Sequence, residues 1–233
     1  MRPAAKTIGI LIAVLAVALA FWPAVDLFVT GLFYSPKDWF FWRYAAPLEF
    51  VRKALPTLIL GLAGYLALIG FANILLKDRL LGVTPRVMLY LGSTLALGPG
   101  LIVNALFKDH WGRARPTQIV EFGGKARFSG PFVLSDQCAD NCSFASGHAA
   151  VAFWTVALAL ILPPPWRPRA VMAALIFGLA TGLVRVIQGA HFYSDVVMAG
   201  LITVGLAVLL RRPILGTQSL QFEGEAGTPG SEK

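Results

Sequence analysis

The sequence predicts an all-α integral membrane protein, a bundle of six transmembrane helices. Two observations carry this. Hydrophobic residues make up 57% of the chain and charged residues 14%, with a mean hydropathy of +0.69, far from the balance of a soluble domain. The apolar residues also gather into runs close to the length of about 20 residues that an α-helix needs to cross a bilayer.

The runs cover Ile8 to Val25, Ala54 to Leu76, Val87 to Phe107, Ala149 to Leu162, Ala170 to Ile187 and Val196 to Leu210. The fourth and sixth are short, so Ser146 and Gly147 are expected to open the fourth helix and His191 to Asp195 to begin the sixth. The first run follows Arg2 and Lys6 and leads into Trp22, Pro23 and Asp26 without a small-residue cleavage pattern, which reads as a retained helix. Residues 218–233 are rich in Gly and Glu and cannot supply a core, so the expected organisation is a membrane domain over 1–217, with an outer loop over 108–148, and a disordered cytoplasmic tail.

With the N-terminus in the cytoplasm, Lys77, Arg79, Arg86, Arg167, Arg169, Arg211 and Arg212 fall inside. Lys37, Arg43, Arg52, Lys53 and the basic residues of the long loop fall outside and even the count, so charge bias supports this orientation only weakly. Parity is stronger: in either orientation the end of helix three, the start of four, the end of five and the start of six share one face. The net charge of +8 has no basic domain to carry it toward nucleic acid; anionic bilayer lipids and phosphate are the fitting partners. Between the first two runs, Asp38 to Lys53 mixes Trp39, Phe40, Phe41, Trp42 and Tyr44 with Arg43, Arg52 and Lys53. Such a stretch suits the headgroup layer, as a plain anchor or as a guide for a lipid.

Chemistry gathers on the shared face. Lys108-Asp-His-Trp-Gly-Arg-Ala-Arg115-Pro116 is followed by Ser146-Gly147-His148, and then by Arg185 with His191 and Asp195. Arg offers a planar fork for two phosphate oxygens and Lys a point charge, so Lys108, Arg115 and Arg185 make a phosphoryl clamp. Ser146 and Gly147, at a helix start, add backbone N–H donors and a positive dipole end. Two histidines supply what phosphoester cleavage without a metal needs, one to attack phosphorus and one to protonate the leaving oxygen. Asp195 lies four residues after His191, on the same face if the turn is helical. A carboxylate on one ring nitrogen would free the other to attack, which favours His191 as nucleophile with Asp195 as its orienter; a carboxylate nearer the loop is the alternative. His110 and Arg113 could touch the substrate beyond its phosphate or merely face water.

The loop carries Cys138 and Cys142, spaced to clip the chain just before Ser146 if that face is oxidising. Two cysteines are too few for a metal site, and no cofactor or metal is expected.

These segments resemble the type 2 phosphatidic acid phosphatase superfamily, whose motifs read K-x6-R-P, P-S-G-H and S-R-x5-H-x3-D. Lys108 to Pro116 matches the first fully. Ser146-Gly147-His148 matches the second with Ala145 in place of Pro, and Arg185 to Asp195 the third with Val184 in place of Ser. The resemblance covers helices three to six. It implies that His191 forms a phosphohistidine, that Asp195 supports it, that His148 acts as general acid and then base, and that Lys108, Arg115, Ser146, Gly147 and Arg185 hold the phosphate. It also implies a metal-independent hydrolase of a phosphorylated membrane lipid, with six helices in a bacterial inner membrane and the site toward the periplasm. The stretch from Phe122 to His148 is similar to the lipid A phosphatase branch, which suggests the 1-phosphate of lipid A or phosphatidylglycerophosphate as substrate. Undecaprenyl pyrophosphate hydrolysis and lipid phosphotransfer are the alternatives. A transporter of phosphate or anionic lipid is the competing class, but it gives no reason for two histidines flanking the cations and shows no inverted repeat.

Overall fold

The computed structural model describes residues 14, 15, 18, 22–77 and 80–216. Among them four helices are long and apolar enough to cross a membrane, and a fifth apolar helix is shorter. Most of the first expected run lies outside the described residues, as does the 218–233 tail. A short helix, α1 (Ala24–Gly31), follows that run.

The helix α2 (Ala46–Leu76) starts eight residues before its apolar run, because Pro47 sits in its first turn, where a missing N–H costs nothing. The aromatic stretch before it is not uniformly interfacial. Phe40 is buried beside Tyr34 and Phe122, whereas Phe41, Trp42 and Tyr44 are exposed. Below α2, Asn73 folds the connection, donating to the carbonyls of Leu80 and Val83 and accepting from the Leu80 N–H. Thr84 caps the next helix, α3 (Pro85–His110), through the Val87 N–H. From Ala96 to Phe107 α3 is wound as a π-helix, with Pro99 inside it; wide turns of this kind concentrate at functional sites.

The shorter helix α4 (Gly147–Ile161) is the axis of the bundle, and it packs against α2, α3, α5 (Arg167–Ile187) and α6 (Tyr193–Leu215). Its residues from Ala149 to Trp154 are all buried. Small side chains permit this, since helices in lipid gain association from close packing. A Cβ on Gly178 of α5 would lie 2.3 Å from the Phe153 ring, and one on Gly200 of α6 would lie 2.9 Å from it, so Phe153 fills a slot between two glycines. Several polar groups within the bundle are paired. Trp154 Nε1 donates to Leu91 O and Thr94 Oγ1, and the Tyr90 hydroxyl donates to Ala207 O. The outer faces carry exposed Leu58, Leu68, Phe71, Leu89, Ile176 and Leu209, the surface of a multi-pass membrane protein.

The glycine slot makes a stability prediction. Gly178→Val forces a clash with Phe153 and should cost about 1–3 kcal/mol. Gly205→Ala, where nothing lies within 4 Å of the added carbon, should be neutral or stabilising. Thermal unfolding of both variants in detergent checks the contrast.

Candidate active site

Four segments meet at one end of the bundle, and backbone hydrogen bonds stitch them together. Cys142 N donates to Lys108 O, Ser143 N to Arg113 O, Thr117 N to Gly189 O, and Ser146 N to Asp195 O. Gly112 makes the first turn possible: at φ +68 its backbone passes so close to Ser135 O that a Cβ would lie 1.6 Å away.

The phosphate-binding candidates converge. Ser146 is the N-cap of α4, its Oγ accepting from Ala149 N at 3.4 Å. The Gly147 and His148 N–H groups that follow have no hydrogen-bond partner among the described residues. A Cβ on Gly147 would sit 2.5 Å from Asn104 Oδ1 and 3.3 Å from Lys108 Nζ, so glycine lets the lysine ammonium lie against the helix start. Arg185 ends α5, donates to Gln188 Oε1, and buries an Nε that has no partner among the described residues. Arg115 is held by Asn141, donating to its backbone oxygen at 2.7 Å and to Oδ1 at 2.8 Å. Cys138 and Cys142 form a disulfide, with 5.7 Å between their Cα atoms, and the ring it closes contains Asn141. Burial, and after it the Arg43 cation, hold the Arg115 guanidinium below its ordinary range.

Asp195 stands elsewhere than the sequence spacing suggests. The turn before α6 is not helical: His191 precedes the helix, and Asp195 lies in its first turn, accepting from Phe192 N at 2.8 Å. Asp195 Oδ2 is 3.6 Å from His191 Nδ1, beyond a hydrogen bond. The imidazole instead reaches Ser143 O, 2.7 Å from Nδ1, and Ser143 Oγ donates to Asp195 Oδ2 at 2.5 Å. The carboxylate thus holds the serine, and the serine's carbonyl holds the ring. Since a carbonyl only accepts, Nδ1 carries the proton, and Nε2, without a partner among the described residues, keeps its lone pair. Burial pushes the His191 imidazole down to about 3, against the upward pull of Asp195.

Arg113 does not face water. It is fully buried, with Nη2 2.7 Å from Asp26 Oδ2 and Nη1 2.5 Å from Asp195 Oδ1, and its Cζ lies 4.3 Å from the centre of the Phe192 ring. Ser194 joins it by donating from N and Oγ to Asp26. His110 is exposed and spends Nδ1 on Leu106 O one turn back, away from the cluster.

Several residues here escaped the sequence reading. Asp26 of α1 reads only as the polar end of an apolar run, and Ser143 has no distinguishing pattern. Gln188, three residues after Arg185, is legible only as a helical neighbour; it donates to Arg43 O and to Glu49 Oε1, and its own backbone oxygen accepts from Arg43 Nη1. Glu49 in turn grips Arg52 at 2.7 and 2.6 Å, so the segment before α2 closes over the cations. His148 Nε2 meets Arg52 O at 3.1 Å. Among the described residues no three His, Cys, Asp or Glu side chains group as metal ligands.

The fold and site define a membrane-embedded bundle with a cationic cluster between two imidazoles. A model of the PAP2 superfamily matches residues 86–214, more than half of the 233, and the chain belongs to that family. Among its relatives, the lipid A 4'-phosphatase of Francisella tularensis subsp. novicida (strain U112) is 44% identical over 117 residues, 50% of this chain and 53% of that protein. The lipid A 4'-phosphatase of Rhizobium leguminosarum is 41% identical over 109 residues, 47% of each chain. That of Rhizobium etli (strain ATCC 51251 / DSM 11541 / JCM 21823 / NBRC 15573 / CFN 42) is 40% identical over 109 residues, 47% of this chain and 42% of its own. The chain thus spans about half the length of the relatives it matches. No solved structure matches.

Two predictions come from this geometry. Arg113→Ala leaves two buried carboxylates without their cation and should cost about 3–5 kcal/mol, read as a collapse in folded yield and melting temperature in detergent. His191 adds a pH dependence whose sign follows from its depressed value. The unfolded ring takes a proton below its ordinary range near 6.5 while the folded ring resists, so stability is full above that range and falls as pH drops toward 3. Wild type should therefore lose stability more steeply with acid than His191→Gln, by up to about 1.4 kcal/mol per pH unit. Denaturant melts of both proteins at pH 7, 6 and 5 measure the difference.

Proposed function

We propose that this protein is a lipid phosphatase that removes a phosphate monoester through a phosphohistidine on His191. The observation that carries the reading is a cluster of cations that make no ion pair among the described residues. Lys108, Arg115 and Arg185 lie within electrostatic reach of one another, while Glu49 is engaged with Arg52 and Asp195 with Arg113, which leaves exposed Asp109 as the one neighbouring acid without an ion pair among the described residues. Buried or half-buried cations left together are costly unless an anion completes them, and a phosphate beside the start of α4 does so. Those charges supply what a metal ion would supply elsewhere, so the reaction is read as metal-independent.

The chemistry follows from the tautomers. His191 Nε2 attacks phosphorus, the bond to the leaving oxygen breaks, and that oxygen takes a proton from His148. The second half returns the proton. Water gives a proton to His148, its oxygen attacks the phosphoryl group, and the P–N electron pair goes back to His191, which frees inorganic phosphate.

The relatives are named for the 4'-phosphate of lipid A, so we infer that position on a lipid A type disaccharide as the substrate, in place of the 1-phosphate that the sequence suggests. The lipid stays in the bilayer and its headgroup reaches the site at the outer face of a bacterial inner membrane. The Cys138–Cys142 bridge supports that orientation, since disulfides persist in oxidising compartments. Residues 1–217 are read as one membrane unit and 218–233 as a cytoplasmic tail.

Purified protein in detergent tests the reading. It should release phosphate from bisphosphorylated lipid A, leave a product lacking the 4'-phosphate by mass spectrometry, and work unchanged in EDTA. His191→Ala should be inactive with an unaltered melting temperature. Activity lost in EDTA and restored by magnesium, or turnover by His191→Ala near wild type, contradicts the mechanism. Faster release from undecaprenyl pyrophosphate or phosphatidylglycerophosphate reassigns the substrate. Replacing Cys138 and Cys142 by serine loosens Asn141 and with it Arg115. Because an error of about 1 Å in a phosphate donor can cost on the order of a hundredfold in rate, turnover should drop several-fold more than the melting temperature suggests.

A further inference from the structure

Pro56 lies inside α2, and a proline has no N–H to offer the carbonyl four residues earlier. That carbonyl belongs to Arg52. In a helix that crosses lipid, a backbone oxygen freed in this way must find a donor from a neighbouring element. The donor is the imidazole of His148, whose Nε2 lies 3.1 Å from Arg52 O. The arginine's side chain is occupied elsewhere, its guanidinium paired with Glu49 at 2.7 and 2.6 Å, so α2 meets this ring through its backbone.

We propose that Pro56 is a positioning residue for His148: by withholding an N–H it reserves the Arg52 carbonyl, which fixes the ring's tautomer and plane. The inference rests on the reading of His148 as the acid and base of the reaction. A carbonyl only accepts, so Nε2 keeps its proton throughout, and Nδ1, which has no partner among the described residues, is the atom that works. In the first half the ring, neutral at rest and protonated on Nδ1 by the proton that a monoanionic phosphate ester brings, gives that proton to the leaving oxygen and becomes neutral again. In the second half Nδ1 takes a proton from water as its oxygen bonds to phosphorus and the P–N bond to His191 breaks. The two imidazoles are thereby held in opposite senses by two backbone carbonyls. Ser143 O takes the Nδ1 proton of His191 and frees Nε2 to attack, and Arg52 O takes the Nε2 proton of His148 and frees Nδ1 for proton transfer. An alanine at position 56 would restore the N–H, and the Arg52 carbonyl would then close its own helical hydrogen bond.

The test uses the full chain in detergent with histidine labelled by nitrogen-15; it has only three histidines, so single substitutions assign the rings. Wild type should show His148 as the Nε2–H tautomer. Pro56→Ala should show a mixture of tautomers, and the rate at which an alkyl phosphate lipid phosphorylates His191 should fall about tenfold with KM within about twofold, since loss of general acid positioning acts on the chemical step. Replacing Pro56 by the α-hydroxy acid analogue of alanine, which also lacks an N–H, should restore the wild-type tautomer and rate. The proposal is overturned if Pro56→Ala keeps the wild-type tautomer and rate, or if the α-hydroxy analogue behaves like alanine. Should the alanine variant fail to fold, the analogue alone decides, by keeping or losing the wild-type tautomer. If wild type releases no phosphate from any ester, the phosphatase reading falls, while the ring spectra still show whether Pro56 governs His148.

Discussion

The site depends on one buried guanidinium. Arg113 is enclosed by Asp26 from the chain before the first long spanning helix and Asp195 from the start of the last, with Ser194 donating to Asp26 and accepting from Arg113. All three side chains are buried, and one charge without its mate would be far more costly than the pair. The network therefore fixes where α1, the first motif and the third motif meet. It also sets the chemistry at one remove, because Asp195 places Ser143 and Ser143 places His191.

Two kinds of charge sit close together here, and pairing separates them. Arg113, Asp26 and Asp195 satisfy one another and hold the structure. Among the described residues Lys108 and Arg185 make no ion pair; Lys108 lies against the start of α4, and Arg185 buries an Nε without a partner. Around this polar end the bundle is apolar on its outside and close-packed within, an arrangement that the proposed reaction on a membrane lipid would use.

Much of this was legible in the sequence. Apolar runs located the long described helices, because lipid imposes a minimum length on any spanning segment. Their parity put the motifs on one face, and the spacing of Lys108, Arg115, His148, Arg185 and His191 located the cluster. The misses have physical causes. Helix starts lay several residues outside the apolar runs, since Pro47 and Thr84 begin helices by capping rules that hydropathy does not register. The spacing of His191 and Asp195 puts both on one face only if the turn is helical; it is not, and the link between them runs through Ser143. Arg113 read as a substrate contact or a water-facing cation because its partner Asp26 lies far away in sequence, and no local pattern reports a long-range ion pair.

The position of the phosphoryl group on the His191 ring tests the central claim most directly. With Ser143 O holding the Nδ1 proton, only Nε2 has a lone pair to attack. Rapid quenching of the enzyme with labelled lipid phosphate, followed by digestion and separation of the phosphohistidine isomers, should recover acid-labile phosphate on Nε2 of His191. Phosphate on Nδ1, or on any other residue, would contradict the account.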